Sequence, residues 1–576
     1  MTSFRIEELP FSSLAPDDLL LKDERLRNWP VVYALNDEKR VYVGETLNFA
    51  VRMSQHLSSE EKKKLRVARI ILDDTFNKSV CLDLESYLIR LLAGDGKFQV
   101  MNLNDGITDA NYFDRLRYRQ LFTEICDRLR EQGLFKQTIS EIENGDLFKL
   151  SPFKALNMDQ IISVSTILKR LIDDIDYKTT STSVIRGDPG TGKTIVAIFL
   201  IKLLRDIATT PIDEDPTTDS PFAEFFTSQY QELLKGIQVG LVIPQQSLRR
   251  SVQNVFKLTP KLEAGMVLSP FQVGESQQRF DVLVVDETHR LGQRANQSSG
   301  PQNRKFAAIN RSLFGSDDNG LTQLDWIERQ SKHQIYLLDM AQSVRPADLP
   351  VRIQESLIRK ARESKRYFEL RSQMRIRVQE DYVGYVRDLL SEKPPPKRLE
   401  FRGYDLRLFD DIHKLRSEII KRDTEVGLSR VVAGFAWPWK SKKDPKAIDI
   451  EIDGLGLQWN LTPVDWINSP GSLYEVGSIH TVQGYDLNYS GVIVGLDLCY
   501  NPTARRLYAN RKSYFDVKGK ENNRRLGLTY TDEDLLQFLT NIYGVLLTRG
   551  ILGTYVYVCD PNLRDYFRQF MDSQGK

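Results

Sequence analysis

The chain has 576 residues, which at about 150 residues per domain corresponds to about four structural units. Its composition (41% hydrophobic, 27% charged, 10% aromatic) excludes wholesale disorder. With 80 Lys+Arg against 78 Asp+Glu the net charge is +2, which excludes a uniformly polybasic binder but not an enzyme with its basic charge confined to one groove. No run of about 18 apolar residues occurs and Met1–Pro10 does not read as a signal peptide, so neither a membrane contact nor secretion is expected. Cys81, Cys126, Cys499 and Cys559 form no CxxC pair, and reduced thiols, a cytoplasmic setting and no structural zinc are expected from this.

In chain order, Pro30–Leu35 and Arg40–Gly44 read as two short strands around the polar turn 36–39. A helical pattern spans Leu47–Leu57, a strand Val67–Leu72, and a helix Leu84–Leu92 that stops at Gly94-Asp95-Gly96. Phe113–Gly133 is a charged amphipathic helix expected to bridge to the larger C-terminal part of the chain. From Ser183 the pattern becomes β-branched runs (Val184–Arg186, Val239–Pro244, Val282–Asp286, Ile335–Asp339) separated by helices, which predicts a parallel sheet. A second series (Val431–Phe435, Val492–Leu496, Thr554–Val558) predicts another such lobe. Asp213–Pro221 and Gln293–Asn303 read as polar loops, and Pro394–Pro396 as a stiff connector.

Residues Gly187-Asp188-Pro189-Gly190-Thr191-Gly192-Lys193-Thr194 fit G-x-x-x-x-G-K-[ST] between an apolar strand and an apolar helix. The glycines let backbone N–H groups face phosphates, and the helix N-terminus adds positive potential. Lys193 supplies a point charge, and the Thr194 hydroxyl a ligand for Mg²⁺. The strand Val282–Val285 delivers Asp286 and Glu287 to the edge where doubly wound sheets bind ligand. Asp286 is expected in the Mg²⁺ shell, Glu287 beside the attacking water, and Gln342, after another such strand, near the γ-phosphate.

The order of these blocks resembles superfamily 1 helicases of the Schlafen-helicase-like branch, over about residues 150–570. Leu156-Asn157-Met158-Asp159-Gln160 is similar to the glutamine motif, so the resemblance gives adenine to Gln160. Asp286-Glu287-Thr288-His289 is similar to Walker B and Gln342–Pro346 to motif III. Ser372–Arg375 is similar to motif IV, His480–Asp486 to motif V and Leu547–Gly550 to motif VI. The resemblance makes Arg375 and Arg549 cations supplied to the triphosphate from the facing lobe, a device that accelerates phosphoryl transfer by about 10³–10⁵-fold. Asp486 stands where the family usually has Glu. For nucleic acid, the candidate contacts are Gln245–Arg250, Thr481, Gln483 and the stretch Arg505–Arg525, whose basic residues are interleaved with Tyr508, Tyr514 and Phe515.

Upstream, Val31-Val32-Tyr33 and Tyr42-Val43-Gly44 sit on the expected hairpin, Arg52 and His56 lie one helical turn apart, and Glu85 and Asn102 come after them. This series resembles the GIY-YIG nuclease fold over residues 30–105. The resemblance implies Tyr33 and Tyr42 for water activation and positioning, Arg52 for the phosphate, His56 in the site, Glu85 for a divalent metal (Mg²⁺ or Mn²⁺), and Asn102 in support. Val31 replaces the first glycine of the family pattern.

The expected fold is α/β: a small mixed GIY-YIG-like domain (1–112), a helical linker (113–155), and two RecA-like P-loop lobes with parallel sheets (156–365 and 366–576). The expected activity is an ATP-dependent translocase or helicase with a tethered metal-dependent endonuclease, acting on DNA in preference to RNA through a single-stranded segment, in a setting of bacterial antiphage defence. Two alternatives remain: a regulatory ATPase whose N-terminal domain binds nucleic acid without cutting, and a small-molecule kinase built on the same loop.

Overall fold

The structure, a computed structural model, describes residues 4–11, 23, 25–102, 111–154, 156–210, 221–294, 297, 299–376, 378, 380–462, 466–482 and 485–574. The chain divides into two compact units, one of residues 1–172, 198–237 and 251–266 and one of 173–197, 238–250 and 267–576.

In the first unit, β1 (Phe4–Pro10), β2 (Val31–Asn36), β3 (Arg40–Thr46), β4 (Val67–Asp73) and β5 (Gln99–Val100) form one sheet in the order β1-β4-β2-β3-β5. All its ladders are antiparallel except β3–β5. Every residue of β2 is buried because its two faces serve two cores. Val32 and Ala34 join Ile71, Leu84, Leu88 and Phe122 on one side, and Val31, Tyr33 and Leu35 join Phe49, Met53 and Ile70 on the other.

The helix Phe49–Ser58 is capped by Asn48 Oδ1, which accepts from Val51 N–H, and the helix Lys78–Asp95 by Asn77 in the same way. The expected helix near 113–133 runs from Arg115 to Glu131 and buries Tyr118, Phe122, Ile125, Cys126 and Leu129 at helical spacing. These residues belong to the same core as β2, so the expected linker is part of the N-terminal unit and not a bridge.

The second unit holds two parallel sheets. The first comprises β6 (Ser181–Gly187), β7 (Val239–Val242), β8 (Val267–Leu268), β9 (Phe280–Val285), β10 (Ser331–Leu338) and β11 (Tyr367–Leu370), in the order β11-β6-β10-β9-β7-β8. Val282–Val285 are buried on both faces, as a central strand of a doubly covered sheet requires.

The second sheet has the order β16-β13-β17-β20-β12-β21. Its strands are β12 (Asp405–Phe409), β13 (Ser429–Ala433), β16 (Val476–Ser478), β17 (Leu487–Val494), β20 (Gly550–Val558) and β21 (Asp572–Gln574). Two hairpins, β14 (Ile450–Ile452) with β15 (Leu455–Leu457) and β18 (Leu498–Asn501) with β19 (Arg506–Ala509), project from it. The two sheets are the expected RecA-like lobes.

Two expectations shift. β11 pairs with β6, so the first sheet takes a strand from beyond the expected lobe boundary at 365. Gln293–Asn303 is not all loop, because the helix Gly300–Phe314 starts within it on the Ser299 cap. Of the other expected loop, residues 213–220 lie outside the described residues. Among the described residues no helix is long and apolar enough to cross a membrane.

Candidate active sites

The triphosphate loop leaves β6 at Gly187 and enters the helix Lys193–Thr209. Gly190 and Gly192 have φ of 86° and 79°, the left-handed region that favours glycine. Lys193 Nζ donates to Gly187 O (2.6 Å) and Asp188 O (3.1 Å) and lies 3.5 Å from Asp339 Oδ2. Thr191 Oγ1 donates to Asp188 O, and Arg387 pairs with the Asp188 carboxylate at 2.9 Å.

Thr194 Oγ1 donates to Asp286 Oδ2 at 2.6 Å, so the two expected Mg²⁺ ligands meet. A hydroxyl beside a carboxylate, with space for substrate phosphates, is the kind of oxygen set that Mg²⁺ takes. Burial, then the neighbouring Glu287, push the Asp286 carboxyl above the usual range. Glu287 goes the other way: burial opposes its ionisation, but His289, whose Nε2 lies 2.9 Å from Glu287 Oε2, together with Lys193 and Arg290 brings its carboxyl below the usual range. One acid of the pair is thereby held ionised beside a fully buried imidazole. Glu287 also has φ of 50°, a strained conformation of the kind that clusters at functional sites. Gln342 Nε2 donates to Asp339 Oδ2 at 2.6 Å, which places it in the same polar group as Lys193.

Arg375 is positioned from two sides. Its loop, directly after β11, is bonded to the phosphate loop: Met374 N–H donates to Gly190 O (2.9 Å) and Gln373 Nε2 to Pro189 O (2.8 Å). Its guanidinium donates to Asp486 Oδ1 (2.5 Å) and Thr548 O (3.2 Å). The arginine expected from the facing lobe is therefore carried by a strap tied to the ATP loop. Arg549 is buried, with donors committed to Val545 O and Tyr485 O. Burial and then Arg375 lower its pKa, while Asp486, Glu287 and Asp339 oppose them, so it faces the same acidic group. Gln160 is fully buried, and its Oε1 accepts from Asn157 N–H while Asn157 Oδ1 accepts from Gln160 N–H, a reciprocal helix cap.

In the N-terminal unit, Tyr33 and Gly44 are cross-strand partners, and the Tyr33 phenol crosses Gly44 so closely that a Cβ there would lie 2.3 Å from its oxygen. The Tyr33 hydroxyl and His56 Nε2 are 2.7 Å apart, and Tyr42 stands edge-on to His56 with centroids 5.0 Å apart. Burial, then Lys62 and Arg52, hold His56 down to about 3, so the ring is neutral near pH 7. Burial, then Tyr42, raise the Tyr33 phenol well above its ordinary value, and Arg52 opposes this. Arg52 is itself raised by both phenols despite burial.

Glu85, partly buried on the helix Lys78–Asp95, adds to the rise at Tyr33. Asn102 clamps the β3 backbone, with Oδ1 accepting from Val43 N–H (3.1 Å) and Nδ2 donating to Val43 O (2.8 Å). The structure thus brings Tyr33, Tyr42, Arg52, His56 and Glu85 together, with Asn102 behind them. It adds Lys62, whose Nζ sits 4.2 Å over the Tyr42 ring; the run Lys62-Lys63-Lys64 was the available signal. Among the described residues no group of three or more His, Cys, Asp or Glu could hold a metal ion, so a metal here would rest on Glu85 and substrate oxygens, a coordination open to Mg²⁺.

The family model of the Schlafen group 3 DNA/RNA helicase domain matches residues 180–560. The chain belongs to that family. The GIY-YIG catalytic domain matches residues 30–97, so the two are fused in one chain. A Saccharomyces cerevisiae (strain ATCC 204508 / S288c) relative, Uncharacterized protein YPL245W, is 23% identical over 426 residues, 68% of this chain and 84% of the relative. Among solved structures, the Arterivirus nonstructural protein 10 (helicase) is similar over 69% of this chain, which spans 64% of that one, with 12% identity and a TM-score of 0.27. The Pif1 helicase from Bacteroides in complex with ADP-AlF3 and ssDNA is similar over 68% of this chain and 91% of its own, with 11% identity and a TM-score of 0.27.

The expected nucleic-acid contacts are partly occupied. Thr481 is buried with its hydroxyl 2.8 Å from Ser478 Oγ, and Arg249 donates to Ile243 O and Pro244 O. In the stretch 505–525, Arg511 pairs with Asp532, Lys518 with Glu521 and Arg525 with Asp317, while Tyr514 is fully buried. Tyr508 and Phe515 stay exposed. Gln483 lies outside the described residues.

Proposed function

We propose that the chain is an ATP-driven nucleic-acid translocase whose N-terminal domain cuts phosphodiester bonds with a divalent metal, Mg²⁺ or Mn²⁺, at Glu85. The observation that carries the motor reading is the bond from Met374 N–H to Gly190 O, which ties the Arg375 strap to the triphosphate loop. ATP would be bound by residues 187–194, with Mg²⁺ on Thr194 and Asp286, water beside Glu287, and Gln342, Arg375 and Arg549 answering the charge that develops on the phosphate. Gln160 would add adenine recognition.

For cleavage, Tyr33 and Tyr42 activate and position the attacking water, the Tyr33 hydroxyl being held beside His56, and Arg52 neutralises the phosphate. DNA is the preferred strand, a single-stranded segment the track, and antiphage defence the setting. The four cysteines, none of them disulfide-bonded, suit a reducing cytoplasm.

The test is ATPase and plasmid nicking run together on wild type, Lys193→Ala and Glu85→Ala. Lys193→Ala is expected to lose ATP turnover and retain nicking without ATP, and Glu85→Ala the reverse. Intact plasmid with every variant, under Mg²⁺ or Mn²⁺, would favour a domain that binds without cutting. ATPase indifferent to DNA and RNA would favour a kinase.

A further inference from the structure

We infer that Trp437 and Trp439, with Lys440, Lys442, Lys443 and Lys446, form a stacking platform for single-stranded nucleic acid. The inference rests on the motor reading above and assigns it a track that none of the motif blocks contains.

The platform leaves the C-terminal end of β13, whose parallel neighbours are β16 and β17. The segments after all three strands therefore emerge at one edge of the sheet, the edge at which open parallel sheets bind ligand. They build one aromatic group. Phe435 lies 5.8 Å from Trp439 and 5.5 Å from His480, and Trp459 lies 6.2 Å from Trp439 and 6.5 Å from Trp437, centroid to centroid. The Trp437 ring crosses Gly495, where an added Cβ would lie 3.1 Å from it.

Phe435 and Trp459 are buried, whereas Trp437 and Trp439 keep part of their rings exposed, so the inner pair backs the outer pair. The turn is fixed from below by Asp449, whose two oxygens accept from Ser441 N–H (2.7 Å) and Trp459 N–H (2.8 Å). Held rings lose little freedom when a base stacks on them.

In the basic stretch 505–525, three of the eight cations are paired, with Asp532, Glu521 and Asp317. Lys440, Lys442, Lys443 and Lys446 are all exposed, and among the described residues none of them forms an ion pair. Lys442 Nζ stands 5.7 Å over the Trp439 ring, which puts cation and stacking face side by side. Unspent lysines beside partly exposed, rigidly backed indoles are what a sequence-tolerant single-strand site needs: phosphates meet the cations and bases stack on the rings. Gln245 Nε2 donates to His480 O at 3.3 Å, so this group adjoins the residues that come after β7 of the first sheet.

The experiment is equilibrium binding of fluorescein-labelled oligothymidylate and oligouridylate to the full chain across a salt series. Lys440→Ala/Lys442→Ala/Lys443→Ala is expected to flatten the log K against log salt slope by about 2, the share of three phosphate contacts. Trp439→Ala is expected to weaken binding by about 5- to 150-fold, one lost stacked base, and Trp439→Phe to retain most of the affinity. The lysines are exposed, so the triple variant tests the platform even if Trp439→Ala folds poorly. If wild type binds and the triple variant binds with the same slope and affinity, the platform is overturned and the motor reading stands. If wild type binds neither oligonucleotide, the motor reading falls and the platform with it.

Discussion

Arg375 donates through Nε to Asp486 Oδ1 at 2.5 Å while the loop that carries it is bonded to Gly190. One side chain thus joins the triphosphate loop to the block that precedes β17. A planar guanidinium makes both the Asp486 and the Thr548 bond; an ammonium cannot match that fork. Arg375→Ala is expected to lower kcat for ATP by about 10³–10⁵-fold with a much smaller change in KM, and Arg375→Lys to recover little of it. Steady-state ATPase with and without nucleic acid measures this, and an unchanged kcat would remove Arg375 from the reaction.

Gly190 offers a second handle on the same contact. At φ of 86°, an added Cβ would lie 2.0 Å from Gln373 Oε1 and 2.9 Å from Arg375 Cβ. Gly190→Ala is expected to cost about 1–2 kcal/mol in backbone strain alone and to push the strap off the loop. ATP turnover should fall at least about tenfold, the equivalent of about 1.4 kcal/mol, while plasmid nicking without ATP is unaffected. Wild-type turnover would show that the strap need not touch the loop.

In the N-terminal domain the Tyr33 hydroxyl carries its phenolic proton 2.7 Å from His56 Nε2. Tyr33→Phe removes that proton and is expected to reduce nicking by about 10²–10⁴-fold, the usual worth of a positioned proton-transfer group, with ATPase untouched. Nicking kinetics at saturating Mg²⁺ measure it.

His56 also makes stability pH-dependent. Its pKa is about 3 when folded against about 6.5 when unfolded, so between these values the unfolded chain binds the extra proton. Stability is full above about pH 6.5 and falls as pH drops towards 3, at up to about 1.4 kcal/mol per pH unit for this proton. Urea unfolding near pH 7 and near pH 5.5 should show a shallower loss for His56→Gln, which keeps a partner for Tyr33 but cannot titrate. Equal losses would place the ring in solvent.

Much of this was legible in the sequence because short motifs encode backbone needs. The phosphate loop announces itself through glycines that must reach positive φ, and Tyr42-Val43-Gly44 through a glycine over which Tyr33 passes. Elements defined by distant partners were not legible. β1 has no fully buried residue and exists because Phe4–Pro10 pairs along its whole length with β4. The Arg115–Glu131 helix reads as a charged bridge until its apolar stripe is matched to β2. The Arg375–Asp486 bond spans 111 residues, and no local pattern reports it. The stretch 505–525 shows the converse, since counting its cations says nothing of how many already have carboxylates of their own.

The placement of β11 has a mechanical consequence. Because that strand lies beside β6 and its loop is stitched to Pro189 and Gly190, the chain crosses between the sheets immediately beside the phosphate loop. If the chain works as the ATP-driven motor proposed above, the hinge between the sheets and the triphosphate would share one address, and a change at the phosphates would be felt first at that crossing.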